Sequence, residues 1–325
     1  MITTKDFDSL TDDLESIFNE VSKTKLSKMV GPTIFDVKDT DRKTHEHLIL
    51  QGVKGIEDVS EGQDFPRVTS VEGDKITWTQ RHYAAIVPVT KDMRKFDLHS
   101  QIDSIVRSIV DDAWNKVEQD YADTLLYGTS SSFTNVYGVT TSGYCADTVV
   151  LFSGSHTSPL DSSYTARNLI RNSAGTDNPA LSRDAVLTAR KDALTHTDPN
   201  GVIRPVVLDT LVVAPSNEDL AYRIIESEGV QGTANRDLNP LKGKIKVVVW
   251  PHLETRSDAT DTGAYYFMYD STKVGESLQC LFSEKPSLDK PEVVYANKSW
   301  DYSIDYYYTI GRGFPIYIWG STGAN

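Results

Sequence analysis

At 325 residues and 39% hydrophobic content, the chain is long enough to bury a large core, as one domain or as two or three smaller ones. Its formal charge of −13 argues against a free-standing duplex binder, which would present a basic face. Cys145 and Cys280 lie far apart and form no metal-type pair, so the default reading is two reduced thiols in a cytoplasmic chain. The start, MITTKDFDSL, has no basic-then-apolar leader, and no run reaches membrane-spanning length, so neither a secretory signal nor a transmembrane helix is expected.

Residues 1–50 read as an arm. Phe7, Leu10, Leu14, Ile17, Phe18 and Val21 mark a short amphipathic helix, Lys23 to Lys28 is mostly polar, and Gly31-Pro32 breaks the chain. Asp36 to His47 is almost wholly charged and polar. Such an arm has little core of its own and must pack on the same chain or on a neighbour. Residues 51–95 read as an extended hairpin, with one run at Arg67–Val71, a turn at Glu72-Gly73-Asp74 and a return at Lys75–Val89. Ile76 and Trp78 alternate with Thr77 and Thr79, giving one apolar face. A lone two-stranded hairpin is marginal in water, so that face needs a partner surface. Pro88 places the return strand at an edge.

The stretch 96–128 predicts one long helix, roughly 45 Å at 1.5 Å per residue. Leu98, Ile102, Ile105, Ile109, Ala113, Val117 and Leu125 form its stripe, widened by Val106, Val110, Trp114 and Tyr121. Asp97 suits its start and Gly128 its end. Residues 129–181 are rich in Ser, Thr, Gly and Asn around one apolar run, Val149–Phe152. An insert of that length is expected to be functional or ordered by other subunits.

From Ser182 the texture alternates between helix and strand: a helix from Ser182 to Thr195, a buried strand at Thr210–Ala214, and a helix opened by Pro215-Ser216 with Asp219 completing a capping box. Two more strands follow at Ile245–Trp250 and Tyr265–Tyr269. Residues 182–276 thus read as a compact α/β or α+β domain. In residues 277–325, Tyr302, Ile304, Tyr306, Tyr308 and Ile310 share one strand face. Phe314–Trp319 continues after Gly311-Arg312-Gly313, giving a strand pair suited to lie beside the long helix.

The chemical motifs do not add up to a site. Asp261-Thr262-Gly263 sits in a surface-loop context rather than between apolar strands. His45-Glu46-His47 lacks the spacing that aims two imidazoles at zinc. His156 has no nucleophile elbow and no evident acid partner. Gly243-Lys244 lacks the rest of a phosphate loop. The sequence therefore predicts no catalytic residue, no cofactor and no metal ligand, and hence no enzyme.

What remains is the order of parts. Asp111 to Gly128, Val150-Leu151-Phe152-Ser153 with His156, Leu211 to Pro215 with Leu220-Ala221, Leu241 to Pro251, Tyr266 to Asp270 and Trp300 to Gly313 together resemble the major capsid proteins of tailed phages with the Hong Kong 97 fold, closest in appearance to Mu-type head subunits. The resemblance covers nearly the whole chain. It implies an α+β fold made of an N-terminal arm (1–50), an extended loop (51–95), a peripheral domain with a spine helix (96–128), a loop-rich insert (129–181), an axial domain (182–276) and returning peripheral strands (277–325). It implies a structural head protein that assembles with itself, as hexamers and pentamers, into an icosahedral shell around phage double-stranded DNA, with no sequence-specific DNA contact and no membrane. Only residues 1–50 precede the hairpin, too few for a removable scaffold segment plus an arm. A separate scaffolding protein is therefore expected, or none, with a portal and a decoration protein as further partners. The chain would be found in the virion after assembly in the bacterial host cytoplasm. Lys75 and Asn297 hold the positions of a cross-link known in some relatives, and that chemistry is not predicted here. Ile76, Trp78, Ile86, Phe7, Leu10 and Leu14 are the expected inter-subunit contacts, with Trp78 uncovered until a second copy covers it. An encapsulin-like nanocompartment shell of the same fold is the alternative. A small α/β hydrolase is the third reading, and it lacks a triad.

Overall fold

In the computed structural model, the described residues are 4–50, 58–64, 72–96, 99–135, 137–158, 161–229, 238–254, 264–294, 296 and 299–324. In chain order the elements are α1 (Thr4–Leu26), α2 (Gly31–Ile34), β1 (Asp36–Asp39), β2 (Thr44–Leu50), β3 (Glu72–Thr79), β4 (Arg81–Val89), α3 (Lys91–Lys95), α4 (His99–Leu126), β5 (Ser132–Thr134), β6 (Thr140–Ser142), β7 (His156–Ser158), β8 (Asp161–Ala166) and α5 (Arg183–Leu194). They continue as β9 (Thr210–Val213), α6 (Glu218–Ile225), β10 (Lys246–Val249), β11 (Tyr266–Tyr269), α7 (Val274–Ser277), β12 (Leu278–Leu288), β13 (Glu292–Val294), β14 (Ser299–Arg312) and β15 (Ile318–Ser321). The chain divides into two units, one of residues 1–45, 78–121 and 280–311, the other of residues 46–77, 122–279 and 312–325. Helices and strands mix in both, which is the α+β class expected from the sequence.

The first unit is built on α4, about 42 Å long. Ile102, Val106, Val110, Ala113, Trp114, Val117 and Tyr121 are buried along it, whereas Ile105 is 38% exposed. The core stripe therefore joins both sets read from the sequence: Ile102, Ala113, Val117 and Leu125 of the main stripe and all four residues that widened it are buried, and Ile105 drops out because steps of four residues from Ile102 follow the helix's own drift. α1 is longer than the sequence suggested, because Lys23 and Lys25 sit in its last turn, where cations favour the helix dipole. Thr11, Leu14, Phe18 and Ser22 are its buried face. Trp114 Nε1 donates to Ser22 Oγ at 3.1 Å, so the arm packs on its own chain. Gly31-Pro32 starts α2 rather than merely breaking the chain, proline being suited to a first helical turn. The buried Glu118 carboxylate accepts from the backbone N–H of Val30 at 2.9 Å and of Gly31 at 3.1 Å. A side chain on Gly31 would put Cβ 2.1 Å from the Tyr121 ring, so only glycine permits this approach.

The sheet of this unit runs β1-β12-β14-β13, with β4 also paired to β14. β14 alternates as expected: Tyr302, Ile304, Tyr306 and Tyr308 are buried. β4 pairs antiparallel with it from Arg81↔Tyr308 to Val89↔Trp300. Among the described residues it has no second partner strand, in keeping with Pro88. The expected hairpin is corrected. Glu72-Gly73-Asp74 is strand, not turn; β3 pairs with β2, which the polar composition had assigned to an arm; and the return run splits at Gln80, its second half joining β14. Residues 67–71, Asp97 and Leu98 lie outside the described residues.

The second unit centres on a four-stranded sheet, β10-β9-β11-β15, with β10 parallel to β9 and the other pairs antiparallel. β9 and β11 are buried at every position, which gives continuous apolar runs rather than alternation. α5 and α6 bury Ala185, Val186, Ala189, Ala193, Ala221, Ile224 and Ile225 against the sheet's core. Ser182 caps α5, accepting from Ala185 N–H at 3.2 Å. The capping box at Ser216 does not form: Pro215–Asn217 is a 3-10 turn, and the Ser216 N–H donates to Glu254 at 3.1 Å. Two further boundaries move. The C-terminal strand Ile318–Ser321 pairs with β11 and so completes this sheet. The insert 129–181 is ordered by its own unit: Phe152 stacks on Phe267 with centroids 5.4 Å apart. The buried Asn168 amide donates to Leu151, Pro315 and Ile318 carbonyls at 2.6, 2.9 and 3.2 Å.

Candidate functional site

Sequence patterning offered surface and edge residues rather than a catalytic cluster, and the structure sorts the six. Leu14 is 0% exposed and belongs to the α1 core. Trp78 is 6% exposed: it stacks on His45 with centroids 5.9 Å apart and lies flat against Gly311, whose added Cβ would fall 2.3 Å from its ring. The expectation that Trp78 stays uncovered in a lone subunit is therefore wrong. The strand alternation was read correctly, but the face it defined is closed by the subunit's own chain. Ile76 is half-buried. Phe7 and Leu10 lie on α1, with side chains outside the described residues. Of the four whose side chains are described, Ile86 is the open one, at 65% exposure.

Ile86 is open because of register. Val87 and Val89 turn inward, so His82, Ala84, Ile86 and Pro88 turn outward, opposite Tyr307, Asp305, Ser303 and Asp301 of β14. His82 stacks on Tyr307 at 4.2 Å and lies 3.4 Å from Asp305. The face is thus a small apolar strip edged by carboxylates, on a strand that pairs with β14 and with no other strand among the described residues.

Beneath that face lies a buried polar network that sequence reading missed. Lys116 pairs with Asp120 and lies 4.7 Å from the centre of the Tyr83 ring. Tyr308 donates to Asp120 at 2.5 Å. Burial, then the nearby Asp120 charge, raises the Tyr308 hydroxyl well above its ordinary range, so it stays a donor. In the second unit, Arg312 is buried over the Phe133 ring and donates to the carbonyls of Gly143 and Thr124, the latter at 2.6 Å. Burial draws it down to about 10, and it remains charged at neutral pH. It thereby places a cation on the unsatisfied carbonyls at the end of α4. Gly311 and Gly313 on either side were the only sequence hint.

The second unit also contains a cavity of about 300 Å³, lined by Asp147, His156, Tyr164, His196, Arg204 and Tyr317 among others. His156 has the acid partner that the sequence did not reveal: Nδ1 lies 2.6 Å from Asp147. Its Nε2 lies 3.0 Å from the Asn168 side-chain oxygen, so the ring is locked between two acceptors and activates no serine. Burial lowers His196 below its ordinary value. Among the described residues no group of three His, Cys, Asp or Glu is placed to hold a metal ion, and no helix is long and apolar enough to cross a membrane. Asp261-Thr262-Gly263 and Asn297 lie outside the described residues, and Lys75 pairs with Glu46 at 2.6 Å.

The sequence profile of the family described as phage capsid protein matches residues 74–318, three-quarters of the chain. The chain belongs to that family. It is a structural protein of a phage capsid, not an enzyme; it assembles with itself into the shell, and its place is the virion. Among solved structures, it is similar to the capsid of Myoviridae phage XM1, at 11% identity over 90% of each chain with a TM-score of 0.48. It is also similar to the capsid of cyanophage P-SCSP1u, at 12% identity over 90% of this chain and 87% of that one, TM-score 0.49. A virus-like particle from Pyrococcus furiosus is similar at 11% identity over 95% and 98%, TM-score 0.46. No curated protein sequence matches the chain.

Proposed function

We propose that this chain is the major head subunit of a tailed phage, forming hexamers and pentamers of an icosahedral shell that holds double-stranded DNA without reading its sequence. The family match over residues 74–318 carries the reading. The first unit, with α4 and the β14 sheet, takes the part of a peripheral domain of the Hong Kong 97 type. The second takes the part of an axial domain, with the insert and the C-terminal strand included in it. Ile86 and the face around it are the contact to a neighbouring copy. An acidic chain suits a wall along which DNA must slide, since a phosphate-gripping wall would release counterions and hold its contents. A separate scaffolding protein, a portal and a decoration protein complete the head, which assembles in the bacterial host cytoplasm.

Expression of the chain alone and with the products of its neighbouring genes, followed by electron microscopy, tests this. Closed icosahedral particles that protect DNA from nuclease support it. Particles filled with an enzyme in place of DNA would move the assignment to a nanocompartment.

A further inference from the structure

The sheet of the second unit has two ends, and each carries exposed apolar side chains beside one charge that no ion pair among the described residues answers, positive at one end and negative at the other. Strand register defines the ends: Lys246, Thr210, Tyr269 and Ile318 lie at one, while Val249, Val213, Tyr266 and Ser321 lie at the other. At the first end, Val207 N–H donates to Asp270 at 3.3 Å and Lys273 N–H to the Asp270 carbonyl at 3.2 Å, which holds the 202–207 loop and Lys273 beside Thr210 and Tyr269. Ile203 is 60% exposed, and Val202 and Val207 are exposed beside it. Arg204 and Lys273 both line the cavity behind them. Arg204 answers Asp198 at 3.3 Å, while Lys273 rests over the Tyr317 ring at 5.4 Å with its charge unanswered by any ion pair among the described residues.

At the second end, the chain leaves β9 at Val213, makes the turn 215–217 and enters α6, whose inward face is Ala221, Ile224 and Ile225. Its outward face offers Leu220, 40% exposed, and Tyr222, with Glu218 and Asp219 in the first turn. Asp219 is bonded to Arg223, which leaves Glu218 as the exposed carboxylate beside Leu220. Along the strands the two patches are separated by the full length of the sheet, so one copy cannot bring them together.

We infer that they meet between copies: the Val202-Ile203-Val207 patch with Lys273 on one subunit receives the Glu218-Leu220-Tyr222 face of α6 on the next. Apolar surface matches apolar surface, and an ammonium meets a carboxylate, neither of which has an ion pair among the described residues. Because the two patches differ, the contact is head-to-tail and propagates around a ring or along a row instead of closing as a two-fold pair. The inference rests on the shell reading and names the surface by which adjacent second units join.

The native thiols make the test clean. Burial pushes Cys145 and Cys280 each up to about 12, so neither reacts in the folded chain. The full-length double variant Ile203→Cys/Leu220→Cys, both at exposed sites, is assembled, inspected by electron microscopy, oxidised and run on a denaturing gel. A ladder of dimer, trimer and higher species is expected, with neither single variant forming a ladder. Adding Lys273→Glu should lower ladder yield about fivefold, the upper range for an exposed ion pair, and Glu218→Lys in the same chain should restore it. Assembled particles without a ladder overturn the inference while leaving the shell reading intact. A covalent dimer from Ile203→Cys alone overturns it in favour of a two-fold contact. Failure of every variant and of the parent chain to form particles overturns both.

Discussion

Replacing Trp78 with Ala separates a core role from an assembly role. The indole is 6% exposed, stacked on His45 and seated on Gly311. Truncating a buried tryptophan costs about 3–5 kcal/mol, through lost burial and the cavity left behind. Neither neighbour can refill that space: Gly311 has no side chain, and His45 is held on β2. For a unit of this size the loss corresponds to a fall of roughly 10 °C or more in Tm. The assay is urea and thermal denaturation of unassembled subunit, followed by far-ultraviolet circular dichroism, which does not depend on the removed fluorophore. The reasoning is refuted if stability changes by less than about 1 kcal/mol while assembly is lost, because Trp78 would then be the intersubunit anchor that the sequence alone suggested.

Ile86→Asp should do the reverse: a subunit within about 0.5 kcal/mol of the parent in urea that no longer forms particles by light scattering. Arg312→Met keeps the bulk but leaves the Thr124 and Gly143 carbonyls buried without their donor. It should cost about 3 kcal/mol, read as a lower urea midpoint, with Arg312→Lys recovering only part because it lacks the forked geometry. Stability should fall with rising pH in the alkaline range. Burial raises Cys145 and Cys280 to about 12, whereas unfolded thiols ionise near about 8.5. The folded chain therefore keeps protons that the unfolded chain loses. The thiol contribution is complete below about pH 8.5 and disappears as pH rises towards 12, at up to about 1.4 kcal/mol per thiol per pH unit. Half-buried Tyr164 and Tyr317, also raised by desolvation to about 12, act in the same direction above about pH 10. A Tm series from pH 7 to 11 checks this, and a flat profile would contradict it.

Local periodicity was legible wherever one element met one core. The α4 helix, the alternation of Tyr302 to Tyr308 and the Ser182 cap all follow from spacing and side-chain chemistry within a few residues. What the sequence hid was pairing across distance. β3 finds β2 instead of a local return strand, and the final strand pairs with β11, because a strand's pattern states which face is apolar but not which strand lies beside it. Trp78 shows the consequence: its apolar face was correctly read, and its cover was sought on another molecule when it lay at His45 and Gly311. His156 and Asp147 are nine residues apart with nothing in their spacing to announce a bond; the β7 fold-back creates it. Ile86 survived as an exposed candidate because alternation beside inward Val87 and Val89 fixes its direction without knowledge of the partner strand.

The most direct test of the account is sedimentation velocity on purified protein across a concentration series, under conditions that favour assembly. The account predicts a sharp, very fast boundary of closed shells, many times larger than the 36.2 kDa chain, growing at the expense of slow material. A single slow species of subunit mass at every concentration, alone and with its co-expressed neighbours, would contradict it.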